Sequence, residues 1–295
     1  MFDWIKIMKT ILEHIGNTPL VKIESLDHGD EANIFAKIEG MNPGGSIKDR
    51  IALNMINDAE NRGALKKGDT IVEPTSGNTG VALAMIGAMK GYKVKLVMPK
   101  TTSPDKIKMI TAFGGGVILI ENDKFGKFAI EKIKERALQD EHLVFLNQYE
   151  NQMNPLVHYT KTAEEIIEQM KEKNIDFFVA GMGTGGTITG IGTKLKEKYP
   201  SIKIIGVQPK EGQIIEGLRS LKGFAPPVVN LTMVDKVIEL DSEKALEARK
   251  DLAVNKGILV GPSSGAAFCV AKEIAQKNPG ATIVTIFPDR GERYL

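Results

Sequence analysis

From residue 70 to residue 287, short apolar runs alternate with segments of helical periodicity, and this alternation restricts the fold more than any other feature of the chain. Apolar runs of this length, bounded by glycine and polar turns, read as buried strands. A helical segment after each run makes a crossover, so neighbouring strands pair in parallel. The first series predicts strands at 70–73, 93–98, 117–120 and 143–146, with helices at 81–90, 106–113 and 127–138. The second predicts helices at 162–172, 187–198, 243–255 and 265–276, with strands at 176–180, 202–207, 258–260 and 282–287. The expected fold class is α/β: two open twisted sheets, largely parallel and flanked by helices. Residues 45–148 form a smaller domain in this reading, residues 1–44 and 149–295 a larger one, with a cleft between them. The segment 208–235 is the least regular, with Gly212, Gly217, Gly223 and the Pro226-Pro227 pair. A long irregular stretch inside a compact α/β protein is often functional.

Composition narrows the class. The 295 residues suffice for one large or two moderate domains, and 42% are apolar, enough for a substantial core. Thirty-nine basic residues against 37 acidic ones leave +2, with no basic block, so nucleic acid is not the expected partner. One cysteine, Cys269, excludes an internal disulfide and a cysteine zinc site, and it reads as a small core residue. The histidines His14, His28, His142 and His158 are scattered, so no metal is expected, and His158 reads as structural for want of a partner. The N-terminal MFDWIKIMKT carries Asp3, Lys6 and Lys9 among its apolar residues, which makes a poor signal peptide, and no membrane span follows. A cytoplasmic enzyme is the expectation.

Four polar turns carry the chemistry. The first is Asn42-Pro43-Gly44-Gly45-Ser46-Ile47-Lys48-Asp49-Arg50. Ser46 and Asp49 have capping-box spacing, and Ile51, Met55 and Ala59 supply an apolar face, so Lys48 projects from an anchored first turn. An amine must shed its proton to attack an aldehyde, and a helix N-terminus disfavours the extra positive charge. The plain alternative is a solvent-facing lysine. The second turn, Pro74-Thr75-Ser76-Gly77-Asn78-Thr79-Gly80, follows a strand and opens a helix. Its hydroxyls, a carboxamide and free amides suit a carboxylate, whereas a helix cap needs only one such residue.

The third turn, Gly181-Met182-Gly183-Thr184-Gly185-Gly186-Thr187, would cradle a phosphate at a helix start. Gly181, Gly183 and Gly186 also match the dinucleotide fingerprint. That fingerprint needs an acid at the end of the next strand, where this chain has Gln208-Pro209, so a monophosphate fits better. The fourth turn, Gly261-Pro262-Ser263-Ser264-Gly265, offers a serine to a ring nitrogen; alone it would be an ordinary helix cap.

Taken together, PGGSIKDR, TSGNTG, GTGGTITG and the late Ser-Ser-Gly resemble the cysteine synthase (O-acetylserine sulfhydrylase) family. These are pyridoxal-phosphate enzymes of the tryptophan-synthase-β-like fold, fold type II, with the cofactor in the interdomain cleft. The resemblance runs from Ile15-Gly16-Asn17-Thr18-Pro19-Leu20 to Glu292-Arg293-Tyr294-Leu295. It implies pyridoxal 5'-phosphate as cofactor, with Lys48 as Schiff-base lysine and acid–base. It implies Asn78 at the ring oxygen, Gly183, Thr184, Gly185, Gly186 and Thr187 as phosphate cup, and Ser263 at the pyridine nitrogen. Thr75, Ser76, Gly77, Thr79 and Gln148 would hold the substrate carboxylate. A serine leaves the ring nitrogen largely neutral, which favours loss of a β leaving group over transamination.

The implied reaction is β-replacement on an activated L-serine through an aminoacrylate. O-acetylserine or O-phosphoserine would be the substrate, sulfide or thiosulfate the nucleophile, L-cysteine or S-sulfocysteine the product. The 208–220 stretch is nearer the B-type isozyme, and Arg219 would then favour an anionic group, unless it is a surface arginine. The nearest alternative is a lyase or cystathionine β-synthase-like enzyme releasing sulfide from cysteine, with Glu216 or Asp235 activating water. A nicotinamide-dependent oxidoreductase would rest on the glycine fingerprint alone and leave Lys48 unexplained. A non-catalytic binding protein would need none of Lys48, Asn78, Gln148 and Ser263. The family also implies a homodimer, a serine acetyltransferase partner and closure of the smaller domain over small amino-acid and sulfur substrates.

Overall fold

The computed structural model describes residues 10–23, 33–171, 173–222 and 225–295. The N-terminal stretch 1–9, His28, Glu172 and Gly223 therefore lie outside the described residues. Strands β1 (Leu20–Lys22) and β2 (Asn33–Ile38) lead to helix α1 (Lys48–Asn61). Then come β3 (Thr70–Pro74), α2 (Asn78–Lys90), β4 (Lys93–Pro99), α3 (Pro104–Ala112), β5 (Gly116–Ile120), α4 (Lys127–Gln139) and β6 (Leu143–Phe145). Helix α5 (Met153–Val157) continues through a π-helical segment (His158–Thr162) into α6 (Ala163–Met170). The chain completes with β7 (Phe177–Gly181), α7 (Gly186–Lys198), β8 (Lys203–Pro209), β9 (Lys236–Leu240), α8 (Ser242–Lys256), α9 (Pro262–Lys277) and β10 (Thr282–Phe287).

Two sheets result. The smaller is fully parallel, in the order β5-β4-β3-β6, with Thr70 facing Lys93 on one side and Leu143 on the other. The larger is ordered β1-β2-β10-β7-β8-β9 and is parallel except for the β1–β2 pair. Adjacent residues on its strands enter different cores, as the period of two requires. Ile34, Val179, Ile205, Ile283 and Phe287 pack on one face with α8 and α9 residues such as Leu252 and Phe268. Phe35, Phe178, Ile204, Val284 and Ile286 pack on the other with Ile166, Ile188 and Leu195 of α6 and α7. A third core joins Ile51, Met55 and Ala59 of α1 to Ile71, Leu83 and Leu96 around the smaller sheet.

The expected strand 258–260 is absent as a strand. Val260 makes a single antiparallel bridge to Arg290, because α9 begins at Pro262 and leaves no length for a ladder. Strands β1, β2 and β9 were not anticipated. The helix expected at 162–172 is the last part of a longer helical run that starts at Met153 and carries a π-turn over His158.

Candidate active site

The polar turns meet where strand carboxyl ends of both sheets face one another. A cleft is lined by Lys48, by Thr75 to Thr79, by Gln148 and Tyr149, by Gly183 and Thr184, and by Glu216 to Arg219. An adjoining chamber shares Lys48, Asn78, Gly183 and Thr184, and adds Gly185, Thr187, Ser263 and Asp289. Every residue expected to bind cofactor or substrate lines one of these two spaces except Gly186, the first residue of α7 beside them.

Lys48 opens α1 and is half-buried at the junction of the two spaces. Burial lowers its pKa to about 8, with Asp289 opposing and Arg219 adding to the shift. A tenth or so of the amine is therefore neutral at pH 7. The capping box does not form. Ser46 Oγ accepts from Lys48 N at 3.2 Å, but Asp49 turns back to accept from Gly44 N at 2.6 Å. Burial also raises the Asp49 carboxyl to about 7. The next residue bolts the turn down: Arg50 pairs with Glu39 at 2.7 Å and Glu165 at 2.6 Å, and Lys37 reaches Glu165 at 2.7 Å. Burial alone would raise Glu165, yet its bonds to Arg50 and Lys37 hold it at about 2.

Around the expected carboxylate site, Thr79 Oγ1 donates to Gln148 Oε1 at 2.8 Å, which turns the amide nitrogen of Gln148 away from Thr79. Thr75 Oγ1 accepts from Gly77 N at 3.2 Å, and Ser76 is exposed. Beneath them Glu73 accepts from Asn147 N at 2.9 Å and Gln148 N at 3.0 Å. Burial raises Glu73 to about 8, so it is held largely as the neutral acid at pH 7. Arg219 Nη2 donates to Tyr149 Oη at 3.0 Å and its guanidinium stacks 4.8 Å from that ring, so Arg219 lies in the cleft wall and is not a free surface residue.

The glycine cup is set by close approach. Gly185 has φ +85° at the N-cap of α7, and a Cβ on Gly186 would overlap Asn154 Oδ1. Asn154 Nδ2 in turn donates to Thr184 Oγ1 at 3.2 Å. His158 is not the partnerless residue expected. It is fully buried, with Nδ1 3.0 Å from Thr162 Oγ1 and Nε2 3.4 Å from Thr187 Oγ1 of the cup. Burial, reinforced by Lys48 and Arg50, keeps its ring neutral. Ser263, 5% exposed, stands in the first turn of α9 and lines the chamber.

Of the two acids expected near the 208–235 segment, one is in place. Glu216 lines the cleft and pairs with Lys106, whose ammonium also lies 4.4 Å from the Tyr294 ring. Asp235 is engaged elsewhere, accepting from Ile204 N at 2.8 Å and pairing with Lys196 at 3.0 Å. Sequence reading missed Glu73, Lys106, Asp289, Arg293 and Tyr294. The available signal was Asp289-Arg290-Gly291 at the carboxyl end of β10, where α/β ligands bind. Among the described residues, no cluster of three or more His, Cys, Asp or Glu could hold a metal, and no helix is long and apolar enough to cross a membrane.

This donor set fits pyridoxal phosphate. A helix N-terminus with glycine amides takes a phosphate, a carboxamide and a buried hydroxyl suit ring substituents, and a lowered-pKa amine suits the aldehyde. The family described as pyridoxal-phosphate dependent enzyme matches residues 11–289. A cysteine synthase of Staphylococcus aureus is 43% identical, covering 98% of this chain and 96% of its own length. Cysteine synthase B of Escherichia coli is 42% identical, covering 98% and 95%. The solved structure of a hydrogen sulfide-producing enzyme from Fusobacterium nucleatum superposes with a TM-score of 0.92 at 40% identity, over 98% of this chain and all of that one. A nicotinamide oxidoreductase finds no support in any of these. The chain belongs to the pyridoxal-phosphate dependent enzymes and, within them, to the cysteine synthase family.

Proposed function

We propose that this protein replaces the β-substituent of an activated L-serine, O-acetylserine or O-phosphoserine, with sulfide or thiosulfate to give L-cysteine or S-sulfocysteine. The observation that carries the reading is Lys48, an amine with a pKa near 8 at the junction of a glycine-amide cup and a hydroxyl-rich cleft. Bound pyridoxal phosphate supplies an electron sink that acidifies the substrate α-proton. Lys48, once neutral, takes that proton. Thr75, Ser76, Gly77, Thr79 and Gln148 bind the carboxylate and fix which face the amine meets. The cup of Gly183, Thr184, Gly185, Gly186 and Thr187 holds phosphate, Asn78 the ring oxygen and Ser263 the pyridine nitrogen.

Arg219, whose guanidinium lines the cleft, favours an anionic leaving group or nucleophile. Residues 45–148 act as the smaller, mobile domain, and their closure shields the reacting centre from water. A homodimer, a serine acetyltransferase partner and a cytoplasmic setting belong to the same proposal.

One observation favours a second reading. Glu216 puts a carboxylate at the cleft wall, where it would activate water in a cysteine lyase. The Fusobacterium relative, described as hydrogen sulfide-producing, makes that direction worth separating. The test is a visible spectrum of the purified protein, followed by O-acetylserine, O-phosphoserine and cysteine in turn. A yellow protein whose band responds to an activated serine, and which then consumes sulfide, supports synthesis. A band that responds to cysteine alone, with sulfide released, supports the lyase. A colourless protein that pyridoxal phosphate does not restore overturns both.

A further inference from the structure

The C-terminal segment after β10 reaches back into the cofactor chamber at one residue, Asn78. Arg293 Nη1 donates to Asn78 Oδ1 at 2.6 Å, and Asn78 Nδ2 donates to Asp289 Oδ2 at 2.6 Å. Both partners are buried, Arg293 at 6% and Asp289 at 2% exposure. The orientation of an asparagine amide is set by its neighbours. A guanidinium can only donate, so it selects the oxygen. The Asp289 oxygen receives one N–H. The amide nitrogen carries two N–H groups, stands beside the Tyr294 hydroxyl as well, and belongs to a side chain that lines the chamber.

The pair is itself held. Arg293 Nη2 donates to the Gly44 carbonyl, passing beneath Gly45, whose φ of +79° and missing side chain leave it room. Tyr294 Oη donates to the same Asp289 oxygen, and Arg249 Nη2 donates to the Tyr294 carbonyl at 3.4 Å. Asn78 and Arg293 lie 215 residues apart in sequence, so only the folded chain brings them together.

We propose that Arg293, with Asp289, is a positioning residue: it locks the Asn78 amide so that an N–H faces the ring oxygen of pyridoxal phosphate. This rests on the reading of Asn78 as the ring-oxygen contact. A phenolic oxygen that loses its donor changes the absorption of the bound cofactor, a property a merely structural arginine would not tune.

The test compares holoenzymes carrying Asn78→Ala, Arg293→Met, Arg293→Lys and the Asn78→Ala/Arg293→Met pair. Two quantities are read: the position of the visible band and the rate of cofactor loss on dilution. Arg293→Met is expected to move the band in the direction Asn78→Ala moves it and to speed cofactor loss about tenfold. Arg293→Lys, still a pure donor, is expected to keep the wild-type band. The double variant is expected to match Asn78→Ala alone, because the arginine acts through the amide. Should Arg293→Met fail to fold, Arg293→Leu, which also removes the donor, carries the same comparison. An Arg293→Met band at the wild-type position, with that of Asn78→Ala displaced, overturns the proposal, as does an additive double variant. An undisplaced Asn78→Ala band removes the reading of Asn78 and the proposal with it.

Discussion

At the scale of single residues, the site is a set of side chains held away from their ordinary states. Lys48 is the clearest. Its folded pKa of about 8 lies below the 10.5 of the unfolded chain, so between those values the unfolded chain keeps a proton that the native one has released. Stability of the cofactor-stripped protein therefore rises with pH across that window. Thermal unfolding from pH 7.5 to 10.5 checks this, and Lys48→Met should flatten the rise. The same substitution should lower turnover at least about a hundredfold, since a positioned acid–base contributes that much. Gly186→Ala is a second residue-scale expectation. The new methyl group would overlap Asn154 Oδ1, so the protein should purify with much less bound cofactor, read as the ratio of visible to 280 nm absorbance. Both positions stand out in the sequence because glycine- and hydroxyl-bearing turns at helix starts leave a local trace. Asp49 was misread as a capping partner because its bond to Gly44 closes a turn on the other side of Ser46. Arg293, 215 residues from the side chain it touches, leaves no local trace at all.

Among the elements, the strands legible in the sequence are those of the regular strand–helix alternation, including the exposed edge strand β5. The last, 282–287, was placed at both ends because its apolar run is bounded by polar turns. The strands that escaped notice lie outside that alternation: β2 is buried between β1 and β10, while β1 and β9 are the edges of the larger sheet. β1 has three half-buried or exposed residues, and β9 alternates charge with apolar residues, so neither has the composition of a core strand. The 258–260 run has the β-branched character of a strand but meets only Arg290. What the elements position is seen best at Glu73 of β3, which holds the turn carrying Asn147 and Gln148. Its folded pKa of about 8 exceeds the ordinary 4.5, so between these values the native protein keeps a proton that the unfolded chain loses. That contribution makes stability fall as pH rises through the window. Glu73→Gln removes the titrating group while keeping its shape. Its stability relative to wild type should grow from pH 4.5 to 8, measured by thermal melts at matched ionic strength.

Over the whole molecule, the cleft is bridged from one sheet's helices to the other sheet's loops. Lys106 belongs to α3, which packs with the smaller sheet, and its side chain is only 3% exposed. Glu216 belongs to the segment after β8 of the larger sheet, and Tyr294 to the C-terminal turn. The Lys106–Glu216 ion pair thus links a helix beside the smaller sheet to a loop of the larger one at the wall of the cleft. If the closed arrangement is the one that binds the amino acid, apparent affinity scales with the fraction of molecules closed. Glu216→Gln keeps the length and one acceptor but removes the charge, at a loss of about 1 kcal/mol for so partly exposed a pair. KM for the amino acid should then rise about fivefold with kcat nearly unchanged, because Glu216 acts on closure and not on the α-proton. Salt separates this from a direct contact between Glu216 and substrate. Raising ionic strength screens the pair, so wild-type KM should climb toward that of the variant while the variant's own KM stays flat. A large loss of kcat in Glu216→Gln with KM unchanged would instead place the carboxylate in the chemistry, as the lyase reading requires.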